Sequence, residues 1–204
     1  MFIQVIQGRC SDAAAMRSHT DRWTRELAPG AAGWLGGTYG VTDDGQFVAV
    51  VRFESRDAAA RNSMRPEQGA WWEETSRSFD GDVTFHDCDD AIVMLDGGSD
   101  DAGFVQVIQG RLDDPPRFRE FMDQPMGPLQ EARPDILGGT VGIDGDGWFT
   151  ETVAFRSEAE ARAGEAQEMP DAMADQWNRE MEHVHDLRFL DLREPWFASR
   201  MPAG

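Results

Sequence analysis

Phe2-Ile3-Gln4-Val5-Ile6-Gln7-Gly8-Arg9 and Phe104-Val105-Gln106-Val107-Ile108-Gln109-Gly110-Arg111 differ at a single position, Ile3 against Val105. Chance does not reproduce such a string within so short a chain, so the molecule reads as two copies of one unit of about a hundred residues. In the first copy, Phe2, Gln4 and Ile6 point to one side of a strand, and Ile3, Val5 and Gln7 to the other. Both sides are mostly apolar, which predicts a sheet covered on both faces.

Outward from that strand, Ser11 or Asp12 can cap a helix whose apolar positions include Met16, Trp23 and Leu27, and Pro29-Gly30 stops it. A second strand runs from near Trp34 through Leu35-Gly36-Gly37-Thr38-Tyr39-Gly40-Val41. Thr42-Asp43-Asp44-Gly45 is a hairpin turn, and Gln46 to Phe53 is the third strand. Ser55 caps a helix that breaks at Pro66, and a second helical piece carries Trp71, Trp72 and Phe79. Asp80-Gly81-Asp82 turns the chain into a fourth strand around Val83 to Leu95. Strand, helix, strand, strand, helix, strand is the ferredoxin-like βαββαβ unit, an α+β class. Residues 1–95 form the first repeat, 96–103 a flexible linker with a reach of roughly 16 Å, and 104–204 the second repeat.

The second repeat follows the first closely. Leu35-Gly36-Gly37-Thr38 returns as Leu137-Gly138-Gly139-Thr140, Phe47 and Phe53 as Phe149 and Phe155, and Ser55 as Ser157. Pro66 is matched by Pro170, and Phe85 and Asp87 by Phe189 and Asp191. The glycine pairs lie inside strands, without a strand-to-helix phosphate pattern, and so read as bulges or close packing.

The chain of 204 residues carries 19 basic residues against 38 acidic ones, a net charge of −19, and all of the basic ones are Arg. That balance argues against nucleic acid or an anionic membrane as a partner. No apolar run reaches spanning length and no signal pattern opens the chain, so a cytoplasmic protein with reduced thiols is expected. Cys10 and Cys88 are too few for a disulfide framework, although pairing of the first and fourth strands would let them approach each other.

Two helices per repeat cover one face of a four-stranded sheet, and the apolar other face needs a partner. At roughly 25 cal/mol per Å2, hiding that face contributes many kcal/mol. Sheet against sheet, as a pseudo-dimer within one chain, is the expected solution, and a further homodimer stays open. Such an arrangement, with Phe47-Val48-Ala49-Val50-Val51-Arg52-Phe53-Glu54-Ser55 leading from strand into helix and Phe155-Arg156-Ser157 echoing it, resembles the dimeric α+β barrel superfamily. Its antibiotic-biosynthesis-monooxygenase-like branch is the most similar. The resemblance implies a single-chain dimeric α/β barrel, with a pocket between each sheet and its covering helix. It also implies a monooxygenase-like activity that needs no cofactor. Haem-degrading members pair a strand-one Asn with a helix Trp and a following His; Gln4 and Gln106 stand in place of that Asn, which argues against haem chemistry.

Candidate residues follow from what sits oddly for a packed core. Arg52 lies among Val48 and Val50 where the second repeat has Ala154, and Glu151 replaces Ala49. An ionisable group where the other copy has Ala is a pocket signal, with a strand-end charge in water as the alternative. His86, matching Leu190, is a candidate proton acceptor or a structural strand histidine. Arg52 is the candidate for stabilising a developing anion. Trp71 and Trp72 are adjacent on a helix, so one is expected in the core and the other facing a cleft or solvent; either both are structural, or one lines a ligand site. Gln4, Gln106 and Tyr39 complete the candidate ligand contacts, the amides alternatively bonding neighbouring groups. His183 and His185 share one side of an extended segment, but nothing completes a metal shell, so no metal is expected.

Three readings remain open: a cofactor-independent monooxygenase-like enzyme acting on a small apolar or aromatic molecule, a non-catalytic or stress-responsive protein binding such a molecule, and an assembly module with a solid interior.

Overall fold

The computed structural model describes residues 1–200, apart from the side chains of residues 172 and 173. The chain divides into two compact units, Met1–Asp90 with the segment from Glu194, and Ala91–Arg193.

The first unit is built from β1 (Phe2–Arg9), α1 (Ala13–Glu26), β2 (Trp34–Val41), β3 (Gln46–Phe53), α2 (Arg56–Ser63), α3 (Pro66–Thr75) and β4 (Thr84–Cys88). Local chemistry sets the boundaries. The Asp12 carboxylate accepts from Ala15 N–H at 2.9 Å and starts α1, and Ser55 does the same for α2 through Ala58. Arg65 is extended before Pro66, which opens α3 at its first position. β1 pairs antiparallel with both β3 and β4, and β2 pairs with β3.

The second unit repeats the plan with β6 (Phe104–Leu112), α4 (Pro115–Met122), α5 (Gly127–Ala132), β7 (Ile136–Ile143), β8 (Trp148–Phe155), α6 (Glu158–Glu165), α7 (Asp171–Met181) and β9 (Val184–Leu192). Both units therefore have the ferredoxin-like α+β arrangement. The bulges expected at the glycine pairs are present, as register shifts between Trp34 and Gly36 and between Ile136 and Gly138.

The fourth strand departs from expectation. The stretch from Val83 to Leu95 is two strands, β4 and β5 (Asp90–Met94), and they lie in different sheets. Arg56 holds Asp87 at 3.2 Å and Asp89 at 2.7 Å where the chain leaves the first sheet. The chain end mirrors this, for β10 (Trp196–Ser199) pairs antiparallel with β2. Each sheet consequently has five strands, β10-β2-β3-β1-β4 and β5-β7-β8-β6-β9, and its first-named edge comes from sequence that follows the other repeat.

The stretch read as a flexible linker, 96–103, is a hydrogen-bonded return from β5 into β6. Leu95, Asp96 and Gly97 take left-handed φ values of 48°, 65° and 91°. Gly97 N–H donates to Met94 O at 2.9 Å and Gly103 N–H to Phe155 O at 3.1 Å. A side chain at Gly138 would collide with the Gly97 carbonyl, so this glycine lets the return lie flat on β7.

Both faces of the first sheet are buried, as the double-sided apolar pattern predicts. Phe2, Phe47, Ala49 and Phe53 pack under the helices, while Ile3, Val5, Val48 and Val50 on the other face are at most 1% exposed. Cys88 pairs with Ile3 at one end of β1 and Cys10 bridges Phe79 beyond the other. At about 3.3 Å per residue the two thiols lie roughly 20 Å apart, so they do not form the close pair that strand pairing allowed. Both are buried, and neither forms a disulfide.

Trp196 secures the borrowed edge. It is 7% exposed, stacks on Tyr39 with centroids 6.3 Å apart, and donates from Nε1 to Thr20 Oγ1 at 2.8 Å. Trp196→Ala is expected to destabilise the protein by about 3–5 kcal/mol, read as a lowered urea midpoint at unchanged m-value.

Candidate functional site

Strand alternation decides which residues of the first sheet meet the helices. Gln4 and Ile6 of β1, Tyr39 of β2, and Phe47, Ala49, Val51 and Phe53 of β3 point to that side and form the floor of a cavity. Met16, Thr20 and Trp23 of α1 form one wall. Gln68, Trp71, Trp72 and Thr75 of α3, with Asn62 of α2, form another, and Phe79 closes the end. The enclosed space of the cavity is about 60 Å3, and it reaches about 580 Å3 only when the open mouth is counted.

A hydrogen-bond network fixes the walls. Trp23 Nε1 donates to Gln68 Oε1 at 2.6 Å, and Asn62 Nδ2 to the same oxygen at 3.4 Å. Arg65 Nη1 donates to Asn62 Oδ1 at 2.9 Å and to the Leu27 carbonyl at 3.0 Å, which pins the break between α2 and α3 to the end of α1. Trp71 Nε1 donates to the His19 carbonyl at 3.0 Å. Trp72 rests edge-on against Phe85, with centroids 5.4 Å apart. Both adjacent tryptophans therefore line the cavity, where one was expected in the core and the other toward a cleft or solvent. α3 runs across the opening, so neighbouring positions flank it and both indoles reach in.

The polar complement is sparse. Gln4 Nε2 donates to Asp87 Oδ1 at 2.8 Å. Thr75, 1% exposed, has a hydroxyl with no hydrogen-bond partner among the described residues. The Tyr39 ring lies over Gly37, where a Cβ would collide with it, and burial pushes its phenol above the ordinary range, against a weaker opposing pull from Arg52. It stays protonated at any physiological pH. Tyr39 is the one titratable side chain among the lining residues.

Arg52 and His86 were expected to share a site with Trp71 and Trp72, and strand alternation separates them. Arg52 pairs with Ile3 and Gly36, and His86 with Val5, which puts both on the sheet face away from the helices. Arg52 Nη1 donates to Thr38 Oγ1 at 3.1 Å there. Gln4, Tyr39, Trp71 and Trp72 do come together. Thr75, Gln68 and Asn62 were missed, although Gln68, Trp71, Trp72 and Thr75 keep the spacing of one helical face.

The corresponding surface of the second unit is different. Gln106 Nε2 donates to Glu165 at 3.3 Å and to Asp191 at 3.4 Å. Val141 replaces Tyr39, and Glu151 replaces Ala49 on the helix-covered face, paired with Ile108 and Val141. His183 and His185 part company, the first against Arg117 Nη1 at 2.7 Å and the second against Asp113 at 2.7 Å. No group of three or more metal-ligating side chains occurs among the described residues, and no helix there is long and apolar enough to cross a membrane.

No protein-family description and no curated protein matches this chain. Solved structures do. A proposed monooxygenase from Lactobacillus acidophilus NCFM is similar over 98% of this chain and 97% of its own, with a TM-score of 0.71 at 11% identity. A proposed monooxygenase from Fusobacterium nucleatum subsp. nucleatum gives 0.73 at 10% identity, over 98% and 94%. An anthrone oxidase-like protein gives 0.59 at 10% identity, over 100% and 96%. The chain thus shares a ferredoxin-like fold with these proteins, and at such identities the fold alone is shared.

Glu151 carries a measurable consequence. Desolvation raises its carboxyl from 4.5 to about 7. A carboxyl raised on folding leaves stability intact below the unfolded value and removes it as pH climbs through the folded one. Glu151→Gln is therefore expected to stabilise the protein by up to about 3 kcal/mol at pH 8 and by nothing below pH 4.5, seen in paired thermal melts.

Proposed function

We propose that the first unit binds a flat, uncharged aromatic molecule in the cavity beneath α1 and α3. Seven aromatic side chains line that space, from Trp23 and Tyr39 to Phe79, and they carry the reading. The enclosed part of that space is only about 60 Å3, so the ligand's flat body has to extend into the mouth of the cavity. A charged ligand would lose its hydration with no counter-charge on the walls. Thr75, whose hydroxyl has no partner among the described residues, and the protonated Tyr39 both line this space, and in this reading they supply hydrogen bonds to a carbonyl or hydroxyl on the ligand edge, beside Gln4, Trp71 and Trp72.

A second reading, oxygenation of such a molecule without a cofactor, draws on the descriptions of the proteins that share the fold. In it, dioxygen oxidises an activated aryl methylene to a carbonyl, and its second oxygen atom leaves as water with the two displaced hydrogens. The substrate supplies all the electrons. Tyr39 and Thr75 can donate to an oxyanion as it forms. The walls hold no base, so the substrate must be acidic enough to lose its proton to water.

Tryptophan fluorescence titration with anthrone, followed by oxygen uptake, distinguishes the two. Binding with uptake supports oxygenation, binding without it supports a carrier or sensor, and no binding by folded protein overturns both. Val51→Trp is expected to fill the cavity and abolish binding. Thr75→Val, which removes an unpaired buried hydroxyl, is expected to stabilise the free protein by about 1 kcal/mol. It should also weaken anthrone about fivefold while leaving anthracene unchanged.

A further inference from the structure

Two groups that can only donate fix the polarity of one wall of the first unit's cavity. The Arg65 guanidinium has no acceptor, and its Nη1 reaches Asn62 Oδ1 at 2.9 Å. The Asn62 amide therefore turns its Nδ2 the other way, toward Gln68 Oε1 at 3.4 Å. The Trp23 indole, also a donor only, meets the same oxygen at 2.6 Å. A flipped Gln68 would set its NH2 against two N–H groups, so the orientation of this amide is forced. Its Oε1 is occupied by Trp23 and Asn62, and its Nε2 has no hydrogen-bond partner among the described residues.

Gln68 is half-buried and lines the cavity with Trp71, Trp72 and Thr75, at the spacing of one face of α3. The far end of the relay is anchored as well. Arg65 also donates to the Leu27 carbonyl at 3.0 Å and pairs with Glu67 at 2.8 Å, and a side chain at Gly30 would collide with its guanidinium. Asn62 between them is 6% exposed. The second unit lacks this relay. Seven residues beyond the capping serines, Gly164 stands where the first unit has Asn62, and a side chain there would collide with Asp135. Apolar side chains would close the break between α2 and α3 without desolvating an amide, so packing alone does not account for Asn62.

We propose that Gln68 is the specificity-determining donor of this cavity: its preset N–H pair takes the oxygen of a ligand carbonyl and selects aryl ketones over arenes that offer only N–H or C–H. This rests on the reading that the cavity binds an aromatic molecule, and it adds the chemistry of that molecule's edge. An amide already held by Trp23 and Asn62 has little rotamer freedom left to lose when the ligand arrives. A ligand N–H aimed at Gln68 would instead leave two donors facing each other with no acceptor between them. Asn62 is a positioning residue, acting on the ligand through the amide it holds. In the oxygenation reading, the same N–H pair meets the oxygen on which negative charge collects as the substrate loses its proton.

The test is calorimetric titration of the full chain with three bicyclic probes of similar size. 1-Indanone carries a carbonyl, indole carries only an N–H, and indane carries neither. The parent is expected to bind 1-indanone about tenfold more tightly than the other two. Gln68→Glu keeps the oxygen that Trp23 and Asn62 hold and turns the unheld end into an acceptor. Preference should then reverse, with 1-indanone losing about tenfold, indole gaining about threefold and indane unchanged. A wall that merely changed shape would move all three alike. Gln68→Met, which has no comparable donor, should bring 1-indanone down to the affinity of indane, and it carries the test if Gln68→Glu does not fold. Asn62→Asp, which keeps the partner of Arg65 but draws the Gln68 NH2 toward itself, should weaken 1-indanone and leave indane unchanged. An unreversed preference in Gln68→Glu, or undiminished 1-indanone binding in Gln68→Met or Asn62→Asp, overturns the proposal while indane binding keeps the aromatic site. Failure of all three probes to bind the folded parent at millimolar concentration overturns that reading as well.

Discussion

A strand buried on both faces offers no inexpensive position for a charge, and this constraint sorts the whole chain. In β3, Phe47, Ala49, Val51 and Phe53 go to the helices while Val48, Val50 and Arg52 go to the opposite face. Arg52 lies toward the strand end, where Thr38 receives one of its N–H groups. The cavity is left with hydroxyls, amides and rings. Its chemistry is therefore hydrogen bonding and shape, and any reaction there depends on the acidity of the molecule it holds.

Much of this was legible in residue order. The repeated octapeptide gave the duplication, the Asp-Gly turns gave the hairpins, and Pro66 and Pro170 marked the helix breaks. The aromatic wall was half legible, since Trp71 and Trp72 stood out while Gln68 and Thr75, on the same helical face, did not. Arg52 and His86 were conspicuous by type, but facing is a matter of register: a shift of one residue along a strand moves a side chain to the other side. The exchanged edge strands were hidden because β4 and β5 are nearly continuous in sequence. Only the double carboxylate at Asp87 and Asp89, gripped by Arg56, marks the division.

The duplicated halves have kept their frame and changed their lining. Phe2 and Phe104, Phe47 and Phe149, and Phe53 and Phe155 do the same packing in each unit. Ala49 against Glu151 and Tyr39 against Val141 do not, and these sit at the centre of the helix-covered face. Packing positions tolerate little change in volume. Positions bordering empty space are under no such restraint, and divergence between the copies collects there.

The borrowed edge also sets an order of events during synthesis. The first unit has β1 to β4 in hand by Cys88, yet its outermost partner for β2 is not made until Trp196. At roughly 5–20 residues per second, the exposed backbone of β2 waits about 5–20 s on the ribosome before it is covered. In that interval Tyr39 lacks its stacking partner and Thr20 its indole donor. The nascent first repeat is thus held short of completion until the second has been translated, and β10 acts as a latch that can close only then.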